Sequence, residues 1–252
     1  MDTIKLTERF AECERKEKQY LYELTLPEFS REEVIVSFVN INLQSAMHHI
    51  HASKDFNATR LCFYKAAVIK IYLDRFYDKG AHTSWNFFNN HHGFCYSILS
   101  DNGLLIKEVL GFREHFWNTL GVSFSKSLQA ILSDNFVELE KQIGLVEKYT
   151  ARKTWERNFL GTVNALKGIL LHDKTLTENG IEELISKYKK QDNPAAVRHY
   201  FSIEGTTLAK MALERGLDIN VDSLLIPKAM LIKNELSYYE GYEFFKELDF
   251  LK

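Results

Sequence analysis

The stretch YFSIEGTTLAKMALERGLDINVDSLLIPKAML, Tyr200 to Leu231, changes its hydrophobic period once, at Gly216. Upstream, an amphipathic run from Ile203 to Arg215 repeats at helical spacing, and Gly216 stands where a helix end favours the left-handed conformation. Downstream, Leu217, Ile219 and Val221 alternate with Asp218, Asn220 and Asp222, which predicts extended chain with one face buried. Leu224, Leu225 and Ile226 then lead into Pro227, whose ring disfavours helix at the residue before it and suits the first turn of a helix after it.

Outward from this stretch the same helical rhythm continues. Towards the N-terminus, spacing predicts helices over about Ser125–Leu132, Asn135–Tyr149, Trp155–Leu171, Ile181–Lys190 and Pro194–Arg215, joined by short polar connections. Gly161, Ala165 and Gly168 fall on one of these helices, where small side chains let a neighbour approach closely. Further upstream, the first helix is expected over Thr3–Leu24 and ends at Leu26-Pro27. Ser30-Arg31-Glu32-Glu33 has the capping-box form and opens a helix that reaches His48. A long amphipathic helix over Asp55–Lys79 would be capped at Gly80, with an aromatic partner over Trp85–Leu99. Asp101-Asn102-Gly103 reads as a turn, and Leu104–Leu120 as a helix interrupted near Gly111.

These features predict an all-α protein, an irregular array of antiparallel helical hairpins, with at most one short extended segment near the C-terminus. The pair from Phe159 to Tyr188 has the layout of a tetratricopeptide-like hairpin, so a solenoid-like order is open, although no fixed period or repeat consensus is found. No Pro/Gly/Ser-rich linker divides the 252 residues, so one domain over 1–252 is expected: helices over about 1–120, more regular hairpins over 121–216, and an extended segment with a terminal helix over 217–252.

Charge and composition exclude several functional classes. A formal net charge of −2, with both signs spread along the chain, offers no field for nucleic acid or an anionic membrane. The charged N-terminus lacks the apolar core of a signal peptide, and no window approaches the length of a membrane span, so a cytoplasmic protein is expected. Cys13, Cys62 and Cys95 fit reduced thiols packed as small hydrophobes.

The order seen in Tyr200–Leu231, a long helix ending in Leu-Glu-Arg-Gly-Leu, a hydrophobic/acidic alternation and then Leu-Ile-Pro-Lys, resembles the C-terminal part of the immunity protein 49 family. These are helical bacterial proteins thought to neutralise toxins of polymorphic secretion systems. The resemblance implies a non-enzymatic protein that binds a cognate toxin, encoded by a neighbouring gene, and blocks it by stoichiometric contact. It carries no catalytic residues. Two other functions fit the same residues: a helical-repeat adaptor or scaffold for another protein, and a metal-dependent helical enzyme using the histidines.

Chemistry-bearing residues are few. His48, His49 and His51 lie together, with His48 and His51 on one helix face, while His82, His91 and His92 come from the following hairpin. A metal site across helices is geometrically allowed, but no Glu-x-x-His partner accompanies them, so structural histidines, no metal and no cofactor are expected. No nucleophile elbow, phosphate loop or Cys-x-x-Cys occurs. In the tail, Phe244, Phe245 and Leu248 suit the inner face of a last helix. Tyr238, Tyr239, Glu240, Tyr242, Glu243 and Glu247 combine rings that bury area at low entropic cost with acids that select a basic partner, and form the candidate toxin-binding surface.

Overall fold

The computed structural model describes residues 3–77, 87–89, 91–112 and 119–251. Thr3–Glu23 forms α1 and Arg31–His48 forms α2, opened by Ser30, whose hydroxyl accepts the Glu33 amide hydrogen as the capping-box pattern predicts. One π-helical turn over His49–Ser53 leads into α3 (Phe56–Tyr77). Next come α4 (His92–Leu99), α5 (Gly103–Leu110), α6 (Leu120–Leu132) and α7 (Phe136–Thr150). The chain continues through α8 (Gly161–Leu171), α9 (Lys174–Ser186), α10 (Ile203–Glu214) and the single-turn α11 (Lys228–Leu231). The expected cap at Gly80, the start of the aromatic partner at Trp85, and His82 lie outside the described residues.

The protein is all-α: the described residues contain no strand. Hairpins α1–α2, α2–α3, α6–α7 and α8–α9 supply most inter-helix packing. The small-residue stripe does what its composition predicts. A Cβ on Gly161 would stand 2.3 Å from the Gly180 carbonyl, and one on Gly180 only 2.2 Å from the Ala165 nitrogen, so α8 and α9 touch backbone to backbone. None of the described helices is long and apolar enough to cross a membrane.

Several expected boundaries move, each for a local reason. The helix expected over Pro194–Arg215 begins only at Ile203, because the Ser202 hydroxyl caps it by accepting the Gly205 amide hydrogen. Asp173 caps α9 in the same way, so that the helix starts at Lys174, seven residues before the expected Ile181, and Trp155–Phe159 is a separate 3-10 turn. At Gly216 the expectation holds: its φ is +82°, and the Gly216 and Leu217 amides donate to the Leu213 and Ala212 carbonyls, the double bond of a Schellman cap. Beyond it Leu217, Ile219 and Val221 are buried while Asp218, Asn220 and Asp222 are exposed. This segment pairs with no strand; the Asn220 amide donates instead to the Glu178 carboxylate at 2.6 Å.

The helix read as amphipathic is buried all round. Every residue from Ile203 to Ala212 is buried, and α10 packs against α4, α8, α9 and α11 together. Contact between α4 and α10, far apart in sequence, closes the array around a central helix. Burial of α10 therefore includes two of its three charges, Glu204 and Lys210, both 0% exposed, while Glu214 at its end is exposed.

Candidate functional site

The tail brings some of its candidate residues to the surface and turns others inward. Tyr242, proposed from sequence for a partner surface, is buried: it stacks on Phe244, its hydroxyl donates to Glu17 at 2.5 Å and accepts from the Asn42 amide at 2.9 Å. Tyr239 packs on Tyr64 with ring centroids 4.8 Å apart and donates its hydroxyl hydrogen to the Ser100 carbonyl at 2.9 Å. Glu247 accepts from the Tyr72 hydroxyl at 2.6 Å and pairs with Arg31. Tyr238 is 75% exposed, and Glu240 and Glu243 are exposed.

Phe244, Phe245 and Leu248 are buried as expected, but the segment forms two 3-10 turns, Glu243–Glu247 and Asp249–Leu251, and no α-helix. Adjacent Phe244 and Phe245 both bury, one against Phe38 and Tyr72, the other against Tyr64. Neighbouring residues of an α-helix point about 100° apart and do not share one buried face.

The histidines divide in a way that local spacing could not anticipate. His48 stacks on Phe10 at 4.3 Å, His49 Nδ1 contacts the Ser53 hydroxyl at 3.1 Å, and His51 donates Nε2–H to the Tyr200 carbonyl at 2.8 Å. These three serve three different partners. Burial pushes both His49 and His51 below the ordinary imidazole range.

His91 and His92 converge on Glu204. His91 is the N-cap residue of α4 and His92 its first turn, while Glu204 stands in the first turn of α10. Both imidazoles donate Nε2–H to the same oxygen, Oε1, at 2.8 and 3.1 Å; a carboxylate oxygen can only accept, which fixes the proton on Nε2 in each ring. The other oxygen, Oε2, is buried with no hydrogen-bond partner among the described residues. Burial alone would favour a protonated Glu204, but the two imidazole donors outweigh it and hold the carboxyl well below its usual range, as does the positive end of α10. His92 is pushed down by burial and by its neighbour His91, against the pull of Glu204. Lys70 lies near enough to oppose charge on His92, and burial pushes its own ammonium down to about 8.

A second buried carboxylate sits two turns along α10. Asp101 Oδ2 accepts from Arg60 Nε at 2.7 Å and from the Asn234 amide at 3.0 Å, while Oδ1 pairs with Lys210 Nζ at 2.7 Å. Arg60 further donates to the carbonyls of Ala229 and Ile232 at 3.0 and 2.6 Å, and Lys210 to that of Met230 at 3.3 Å. This node ties α3, the turn before α5, α10 and α11 together. From sequence Asp101 reads only as a turn residue, and no local signal pairs it with Arg60 or Lys210.

The chain matches no protein-family model, no curated protein and no solved structure.

Proposed function

We propose that this protein is an immunity protein, which binds a cognate bacterial toxin by stoichiometric contact in the cytoplasm and blocks it. The observation that carries the proposal is the resemblance of Tyr200–Leu231 to the immunity protein 49 family, whose ordered features are helix, glycine cap, hydrophobic/acidic alternation and Leu-Ile-Pro-Lys. A surface suited to such contact lies in the residues that follow. Leu224, Ile232 and Tyr238 are large apolar side chains left exposed within one stretch, followed in sequence by exposed Glu240 and by Glu243, which pairs with Lys246. Exposed apolar groups rimmed by acids favour a protein partner with a basic face, since the rings anchor and the charges steer.

Tyr242 is buried and Tyr239 and Glu247 hold partners on other elements, which leaves Tyr238, Glu240 and Glu243, the last paired with its neighbour Lys246, as the residues we propose for contact. Co-expression with the product of the neighbouring gene tests the proposal. Growth should be rescued and a stable complex should co-purify; catalytic protection by trace amounts of this protein, or failure of either readout, refutes stoichiometric immunity. Within a complex, Tyr238→Ala combined with Glu243→Lys should weaken binding by about 2 kcal/mol or more while leaving the melting temperature near wild type.

A further inference from the structure

The carboxylate of Glu204 is an uneven acceptor. One oxygen takes two hydrogen bonds and the other takes none from the described residues, although both lie inside the protein. An unsatisfied buried acceptor is a standing cost, and a native structure keeps one where something else is served. It belongs to a cluster of possible metal ligands: the ligating atoms of His91, His92 and Glu204 all lie within 4.8 Å of one another.

We propose that His91, His92 and Glu204 bind a divalent first-row transition ion, zinc foremost, tying the start of α4 to the start of α10. Two imidazoles and one carboxylate are borderline N/O ligands, suited to zinc, cobalt, nickel or iron(II). Calcium and magnesium are disfavoured because they require a shell made wholly or mostly of oxygen. Tetrahedral coordination at about 2.0–2.2 Å requires ligand atoms a little over 3 Å apart, so the contacts of 2.8 and 3.1 Å open slightly around the ion while the widest separation, 4.8 Å at most, closes. On binding, each ring turns its Nε2 lone pair to the ion and carries its proton on Nδ1, and the carboxylate, including the oxygen now without a partner, supplies the negative charge. Cys95 does not belong to this group of ligating atoms, and its thiol is bonded towards Thr207. Three protein ligands leave one position for water, and the way in is the His side, where the His91 and His92 side chains keep 13% and 10% exposure against 0% for Glu204.

This inference does not depend on the toxin-binding proposal, and its test reads metal alone. Full-length protein stripped with chelator and dialysed is titrated with zinc chloride, then separately with cobalt chloride. One equivalent of zinc should bind and raise the melting temperature, and cobalt should give the visible absorption of a four-coordinate site. Glu204→Gln keeps side-chain volume and an acceptor for both imidazoles, and should weaken zinc at least about 100-fold; His91→Gln, nearer the surface, should weaken it at least about 10-fold. Replacement of the exposed His199 by Gln should change nothing. Should one variant fail to fold, the other decides. Absence of one-equivalent binding by the wild type, or wild-type affinity in either folded ligand variant, overturns the proposal.

Discussion

Asp101 and Glu204 are both carboxylates buried against the central helix, yet they are satisfied by partners of opposite kinds. Asp101 faces Arg60, Lys210 and a backbone amide, and both of its oxygens are used. Glu204 faces two histidines, and one of its oxygens is unused. A guanidinium cannot discard its charge in a protein, whereas an imidazole does so near neutral pH. The first node is therefore a fixed tie, and the second an adjustable one able to exchange a proton or an ion. Six residues separate them on α10, about 9 Å along the axis at 1.5 Å per residue.

Isosteric removal of each charge should separate the two nodes most widely. Asp101→Asn keeps a short polar side chain able to hold the positive φ of this position, but it leaves two buried cations without their anion. We expect a loss of about 3–5 kcal/mol, measured by denaturant unfolding. Glu204→Gln removes a charge whose partners can adapt, and its amide oxygen still accepts from the imidazoles, so about 1–2 kcal/mol is expected. Equal losses in the two variants would end the distinction between fixed and adjustable nodes.

A steric defect elsewhere supplies a scale free of charge. Gly180→Ala drives a methyl into the backbone of α8, with Ala165 nitrogen 2.2 Å from the new atom. Helices in such contact can only move apart, at an overpacking cost of about 1–3 kcal/mol. That loss should not change with ionic strength, while the loss in Asp101→Asn should keep its size only because its ions are buried beyond salt screening. If Gly180→Ala is neutral in thermal melts, the α8–α9 contact is looser than these distances state.

Legibility from the sequence followed the range of the interaction that decides each feature. Ser30, Gly216 and the Gly161/Gly168 stripe were readable because cap and close-contact chemistry lie within a few residues of the signal. Burial of Phe244, Phe245 and Leu248 was readable from composition, though not their 3-10 path, which is set by separate partners on α2 and α3. The face of α10 was misread because Glu204 and Lys210 look solvent-bound to any local pattern. Their partners, His92 and Asp101, lie about a hundred residues upstream. The convergence of His91 and His92 on Glu204 was illegible for the same reason: local spacing groups His48 with His51, and no short motif connects His91 and His92 to an acid over a hundred residues away.

Smaller effects come from the ends of α10. At its C-terminal end, Gly216→Ala places a Cβ at φ +82°, which should cost about 1 kcal/mol. The same change at a right-handed helical position would stabilise, so a stabilised variant would mean that the Schellman cap is not the resting state. Because Lys210 is held by Asp101 nearly two turns upstream, the cost should stay local, with no loss of protection at the Asn234 amide, which is bonded to Asp101.

The gentlest test uses acid. His51 holds the Tyr200 carbonyl just before α10 starts, on the Glu204 side of the helix, and burial keeps its folded-state value below the ordinary 6.5, with Lys54 adding to the shift and the Tyr200 bond opposing it. A base whose folded value is depressed takes up its proton more readily in the unfolded chain. Its contribution to stability is therefore complete above about 6.5 and declines as pH falls below that value. His49, also pushed down by burial, acts in the same direction. The Asp101 node at the other end is built from Arg60, Lys210 and a backbone amide, with no imidazole among them. Lowering pH from about 7.5 to about 5.5 should thus load only the histidine end of α10. Hydrogen exchange, corrected for intrinsic rate, should show faster opening at the Ser202 amide, which donates to the Leu225 carbonyl, while the Asn234 amide keeps its protection. His51→Gln retains an N–H donor for Tyr200 without an ionisable ring, so the fall of melting temperature with acid should become shallower than in the wild type. An unchanged slope would remove His51 from the acid response, and equal loss of protection at Ser202 and Asn234 would show that the two ends of α10 open as one unit.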